Sequence, residues 1–130
     1  MSLSKYIEEL KNDCFVDEIN LKESALLLPA KKAKWVSRLI LEKNNLNSLD
    51  KERNTALNSV MELLKREAVV TLPKNTLRGT AETHEMIIDI DNKIENSRNL
   101  IEFYEKVEKV ISSMSFDIGN IIKIVQLETT

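Results

Sequence analysis

Glycine and proline occur twice each in 130 residues, aromatic side chains make up 5% of the chain, and cysteine and histidine occur once each. So few glycines and prolines leave little for hairpin turns, phosphate-cradling loops or a strand-rich sandwich, and favour a mainly α protein. The lone Cys14 cannot form an intramolecular disulfide, and with His84 it is too little for a tetrahedral zinc site of cysteines and histidines. No Ser-His-Asp set is recognisable by spacing, so the reading is of a protein that is not an enzyme and carries no metal or cofactor. Apolar runs fall well short of the roughly 20 residues that span a bilayer. The first residues do not form a basic, apolar secretion signal, which makes a reducing cytoplasm the expected setting, with no membrane partner.

What is present is 42% hydrophobic and 31% charged residues, enough for one compact domain or one protomer of an assembly. Nineteen Lys and Arg against 21 Asp and Glu give a formal charge of −2. Any attraction for nucleic acid must therefore come from local clustering.

The apolar pattern is helical. Leu3, Tyr6, Ile7 and Leu10 form one stripe of a short amphipathic helix. Asn20 with Glu23 reads as a capping box opening a second helix that runs to about Ala68, with Pro29 either kinking it or dividing it as a first-turn residue. Leu46, Leu49, Arg53, Ala56, Val60 and Leu63 recur at steps of three and four, the pattern of a bundle or coiled-coil face. Arg53 within that stripe suits burial against a carboxylate, setting register at the cost of stability. Residues 69–90 read as a connector containing Pro73 and Gly79. Within it, Met86–Ile90 can pair with Ala68–Leu72 as one small β-hairpin or can start the next helix. Residues 91–130 carry a long helix to about Ser113, after which Ser115 can cap a last one.

A helix of about 40 residues spans about 60 Å, whereas a compact globule of this chain length has a radius near 14 Å. Long helices with broad stripes need partners. The expected arrangement is an antiparallel hairpin or bundle in a single domain, assembling into a homo-oligomer. The candidate contact residues are Leu100, Phe103, Val107, Val110, Met114, Ile118, Ile121, Ile122 and Val125.

Between Ser24 and Leu41 there is no acid, yet Lys31, Lys32, Lys34 and Arg38 surround the only tryptophan, Trp35. On a helix Lys31, Lys34, Trp35 and Arg38 share one face. Cations beside an aromatic ring are what sequence-independent single-strand binding requires, the cations for phosphates and the ring for an unpaired base. The same pattern also fits a core tryptophan whose lysine neighbours reach outward. Secondary basic candidates are Lys51, Arg53, Lys65, Arg66, Lys74 and Arg78. Glu85, Asp89 and Asp91 lack the glycine turn and terminal glutamate of a calcium loop.

Leu3, Glu8-Glu9-Leu10-Lys11, Asp13, Phe15, Val16, Asp17, Leu21, Ala25 and Lys34-Trp35, followed far downstream by Phe116-x-Ile118-x-x-Ile121, together resemble the UvsY family. These are the recombination mediators of T-even-type bacteriophages. The resemblance is collinear through about residue 60 and looser beyond. It implies a ring-like homo-oligomer of the hexamer or heptamer class that binds single-stranded DNA. It further implies two protein partners, a RecA-like phage recombinase of the UvsX type and the phage single-strand binding protein, in the cytoplasm of an infected bacterial host. Lys34 and Trp35 stand at matching positions, whereas Lys31, Lys32 and Arg38 enter through clustering alone. Where the resemblance implies basic residues in the middle of the second helix, this chain has Asn58 and Val60. Lys51, Arg53, Lys65 and Arg66 on flanking turns are the candidates to compensate. The competing reading is a helical oligomeric adaptor that binds only protein partners.

Overall fold

The structure is a computed structural model that describes residues 3–68 and 70–129. It contains four helices, α1 (Leu3–Asp13), α2 (Leu21–Glu67), α3 (Lys74–Ala81) and α4 (Glu85–Thr129). Among the described residues there is no strand. Contacts group the chain into two compact units. One comprises Met1–Leu41 with Leu100–Thr130, the other Glu42–Asn99.

Asn20 stands at the start of α2, its carbonyl accepting from the Ser24 N–H at 2.8 Å. The expected capping box with Glu23 is replaced by a reciprocal pair one turn earlier. The Asn20 side chain accepts from the Asp17 N–H at 2.6 Å, and the Asp17 carboxylate accepts from the Asn20 N–H at 2.7 Å. Pro29 neither ends nor divides α2, which continues to Glu67. Leu28 before the proline and Trp35 after it anchor the helix on its buried side, while Pro29 itself is exposed. The carbonyl that loses its donor to the proline ring is one turn back, at Ala25.

In the first unit α2 contributes Leu21, Leu28, Trp35 and Leu39 to the core, and α4 contributes Tyr104, Val107, Ile111 and Ile118. Steps of seven and four on one helix face steps of three, four and seven on the other, which is coiled-coil-like packing. Pocket-lining neighbours Leu28 and Ile111, and ring neighbours Trp35 and Tyr104, show that the two helices run in opposite directions here. α1 packs on this core through Tyr6 and Leu10, neither of them fully buried.

In the second unit Leu49, Ala56, Leu57 and Val60 of α2 meet Ile87, Ile90 and Ile94 of α4, with Ala81 of α3 closing one end. Two polar pairs fix the register. Ser97 is buried and donates to Glu42 Oε1 at 2.7 Å. Arg53 makes the expected carboxylate pair, Nε to Asp91 Oδ1 at 2.6 Å and the second nitrogen to Oδ2 at 3.4 Å. Glu42 facing Ser97 and Arg53 facing Asp91 is again an antiparallel arrangement.

Two expectations are corrected. The small β-hairpin is absent, because Ile87, Ile90 and Ile94 are buried while Met86 and Ile88 are exposed. That is the three-and-four spacing of a helix, where a strand would have buried Met86, Ile88 and Ile90 together. In place of an open connector, Pro73 caps α3, which buries Leu77 and Ala81 one turn apart. The break near Ser113 is also absent. Val107, Ile111 and Ile118 form one continuous buried stripe past the exposed Ser112, Ser113 and Ser115, and that packing outweighs the modest helix penalty of serine.

Gly119 lies inside α4, and nothing stands within 4 Å of where its Cβ would be. Gly119→Ala should therefore stabilise the protein by about 1 kcal/mol in a urea melt, from reduced freedom of the unfolded chain. A loss of stability would show that a neighbouring copy packs against this position.

Candidate functional site

The face read from the sequence exists, but it is not open. α2 does bring Lys31, Lys34, Trp35 and Arg38 to one side, and that side is turned towards α1 and α4. Trp35 is 1% exposed. Its ring lies edge-on to Tyr6 at 6.4 Å and Phe103 at 6.2 Å, and tilted against Tyr104 at 6.1 Å. The indole Nε1–H donates to Asp13 Oδ2 at 2.9 Å. Base stacking on Trp35, as expected from the sequence, is thus blocked in this conformation by α1 on one side and α4 on the other.

The cations around it are occupied too. Lys34 Nζ sits 2.5 Å from Asp13 Oδ2 and 2.9 Å from Glu9 Oε2. Arg38 donates to Glu9 Oε2 at 2.6 Å, and its guanidinium lies 4.7 Å from the Trp35 ring centre and 5.3 Å from that of Tyr6. Lys31 donates to the Asp13 carbonyl at 3.0 Å. These pairs shift the titrations as their geometry requires. The Arg38 hydrogen bond, helped by Lys34, holds the Glu9 carboxyl below its ordinary range against the opposing effect of burial. Burial pulls Lys34 down, yet its bonds to Asp13 and Glu9 outweigh that and leave it raised. Burial, with the Asp13 charge beside it, pushes the Cys14 thiol up, so Cys14 is not an activated nucleophile. Lys32, the remaining cation of the cluster, is exposed and edges a cavity of about 320 Å³ with Pro29, Ser112 and Ser115.

The secondary basic candidates divide in the same way. Arg53 is committed to Asp91, and Arg78 pairs with Glu82 at 3.3 Å within α3 and its following turn. Lys51, Lys65, Arg66 and Lys74 are exposed. Lys51, Asn58 and Lys65 are seven residues apart and share one outer face of α2, and Arg66 adjoins Lys65. A groove of about 530 Å³ on this side is lined by Asn58, Ser59, Glu62, Leu63 and Arg66, all from α2. Val60 is only 4% exposed and belongs to the core that α2 shares with α4. The apolar stripe read from the sequence already held Val60 and not Asn58, and the fold places Val60 in the core and Asn58 outside.

The proposed oligomer stripe is largely used within the chain. Val107 and Ile118 are core residues, and Leu100, Phe103, Met114, Ile122 and Val125 pack against that core. Val110 and Ile121 are exposed, as are Phe116 at 73%, which the sequence reading named only for the family resemblance, and Leu127 at 76% and Ile124, neither of which it named. An 18-residue window of α4 has a mean hydropathy of 1.2 with 11% of it buried, so by length and composition alone this helix is apolar enough to cross a membrane. Counting unbroken apolar runs missed it because Asp117 and Lys123 interrupt them. Among the described residues no group of three metal-ligating side chains converges.

Residues 9–130 match the family described as recombination, repair and single-stranded-DNA-binding protein UvsY. The chain belongs to the UvsY family. Its fold agrees. A crystal structure of the bacteriophage T4 recombination mediator UvsY superposes with a TM-score of 0.83 at 21% identity, covering 98% of this chain and 99% of that one. A second crystal form of the T4 protein gives 0.82 at 20% identity over 100% of this chain and 99% of the other. At such identity the likeness concerns the UvsY fold, and membership rests on the family match. A sequence comparison with curated proteins finds no significant match.

Proposed function

We propose that this UvsY-family protein is a recombination mediator that binds single-stranded DNA and loads a RecA-like phage recombinase onto strands covered by single-strand binding protein. The observation that carries the reading is the family match over residues 9–130. Physically, it calls for a surface that meets phosphates weakly and repeatedly. The exposed α2 row of Lys51 and Lys65, with Arg66, is the best available surface for that role, and it takes over from the family's mid-helix contact that Asn58 and Val60 do not provide.

A chain of net charge −2 is a poor binder as a monomer. A ring of six or seven copies repeats the basic row and converts weak contacts into avidity. The exposed Val110, Ile121 and Ile124 lie within about 60° of one another around α4, an apolar strip suited to self-association. The function is exercised in the cytoplasm of the infected host, and the ATP hydrolysis belongs to the recombinase.

The test is fluorescence anisotropy of a labelled single-stranded oligonucleotide at two salt concentrations, with a duplex of the same sequence alongside. The expected result is preferential single-strand binding that weakens with salt, with a slope of about −0.7 per phosphate contact. The adaptor reading is favoured by one observation, the burial of Trp35 and pairing of its cations. It predicts no single-strand binding by assembled protein even at low salt.

A further inference from the structure

α1 differs from the other helices in how it is held. It has no fully buried residue, and its apolar attachment is through the partly buried Tyr6 and Leu10. Much of its grip is polar and converges on one patch of α2. Glu9 and Asp13 together take Lys34, Glu9 takes Arg38, the Asp13 carbonyl takes Lys31 and the Asp13 carboxylate takes the Trp35 indole N–H. Two carboxylates a turn apart thus occupy the positions that two backbone phosphates would need to reach those cations. Beneath them lies the only tryptophan of the chain. Tyr6 covers one edge of its ring, and the segment after α1, residues 14–20, holds to the core through the partly buried Cys14 and Val16 while leaving Phe15 and Ile19 exposed to solvent.

We propose that α1 is a displaceable anionic cover over a second single-strand site formed by Lys31, Lys34, Trp35 and Arg38. The proposal rests on the single-strand-binding reading above and adds regulation to it. With α1 seated, only the exposed α2 row is offered. When the phosphates of a strand come close, these compete with Glu9 and Asp13 for Lys34 and Arg38, α1 lifts, and a base gains access to the Trp35 ring. Occupancy of the second site falls with the fraction of molecules whose cover is lifted. The exchange also has a salt signature. A cation that leaves a carboxylate for a phosphate still displaces the counterion condensed on that phosphate, but the freed carboxylate recruits solvent cations in return, so the covered site adds affinity with less salt dependence than two free cations would. Removing the carboxylates should restore the full slope.

The experiment compares four full-length proteins by anisotropy with single-stranded oligonucleotide across a salt series and by Trp35 emission. They are the wild type, Glu9→Gln with Asp13→Asn, Tyr6→Ala with Leu10→Ala, and a control, Glu8→Gln with Glu18→Gln, which removes two exposed acids that do not touch the patch. In the first double variant the strand should bind at least about fivefold tighter at 0.1 M salt, with a slope steeper by up to about 1.4, the ceiling for two phosphate contacts. The control should keep the wild-type slope. The Tyr6/Leu10 variant, with no change of charge, should also bind tighter and show red-shifted Trp35 emission, which guards against a purely electrostatic explanation. It also carries the test if the acid variant does not fold, as judged by circular dichroism. In the wild type, saturating single strand should quench Trp35. Trp35 emission unchanged by DNA in the wild type and both cover variants, or equal slopes in the acid variant and the control, would overturn the cover while leaving single-strand binding intact. No single-strand binding by any of the four would overturn both the cover and the function on which it rests.

Discussion

Trp35→Ala is expected to cost about 3–5 kcal/mol and to unfold the first unit at moderate temperature. The reason lies in what the ring touches. Tyr6 comes from α1, Phe103 and Tyr104 from α4, and Trp35 is almost wholly buried at their meeting point. Truncation leaves a cavity bordered by three rings on two other helices, which cannot close without moving both. It also removes the indole donor to Asp13 and the aromatic surface under Lys34 and Arg38. Trp35→Phe separates these contributions. It keeps much of the packing and loses the hydrogen bond, so it should cost about 1–2 kcal/mol, with Lys34 still partnering the Asp13 carboxylate. Urea denaturation followed by circular dichroism measures both. Were Trp35→Ala as stable as the wild type, the ring would not be a core residue and the fold of this unit would be wrongly described. The consequence for function is direct, since loss of DNA binding by Trp35→Ala alone proves nothing about stacking unless the variant is shown to be folded.

The second large effect is expected from replacing Lys51, Lys65 and Arg66 together by alanine. These side chains are exposed on the outer side of α2, so stability should change by less than about 0.5 kcal/mol. Single-strand affinity should fall by about a hundredfold at 0.1 M salt, and the salt slope should lose about 2, because three phosphate contacts of about 0.7 each disappear. In an assembled ring the loss is larger, since every copy is altered. Placing the same three substitutions on Lys5, Lys93 and Lys109, which are also exposed, removes equal charge away from the row and should leave most of the affinity. Equal effects from the two sets would mean that binding follows net charge and not a defined face.

The extent of α2 was legible because its signals agree. The Asn20 start, the three-and-four stripe from Leu46 to Leu63 and the Val69–Gly79 interruption all point to one long helix, and the helix runs from Leu21 to Glu67. Pro29 was ambiguous because a proline reports a missing donor, whereas continuity depends on what anchors the helix on both sides of it. Met86–Ile90 was ambiguous because five mostly apolar residues fit a strand or a helix equally. Only the buried Ile94 and Ser97 further along reveal the helical period. Ser115 looked like a cap since serine favours helix starts, and the uninterrupted Val107–Ile118 stripe outweighed it.

The candidate site was half legible. Offsets of zero, three, four and seven place Lys31, Lys34, Trp35 and Arg38 on one face, and they are there. Whether the face is wet was not legible, because its hydrogen-bond partners lie 18 to 29 residues upstream on α1 and the rings of Phe103 and Tyr104 far downstream on α4. Glu9 and Asp13 are four apart, so a carboxylate pair matched to a basic patch was visible in principle. Nothing local links the two. The exposed apolar strip of α4 was legible only in part, through Val110 and Ile121 and not Ile124, for a related reason. A stripe at steps of three and four shows that residues such as Phe103 and Val107 will be buried, but not that α2 and α1 take one side of the helix and leave Ile121, Ile124 and Leu127 on the other.

The most direct test of the mediator function is the lag in ATP hydrolysis by the recombinase of the same phage on single-stranded DNA already covered by that phage's single-strand binding protein. Added at one protomer per few nucleotides, this protein should shorten the lag markedly, and the Lys51/Lys65/Arg66 variant should not. A lag unchanged by wild-type protein that is assembled and bound to the strand would contradict the account.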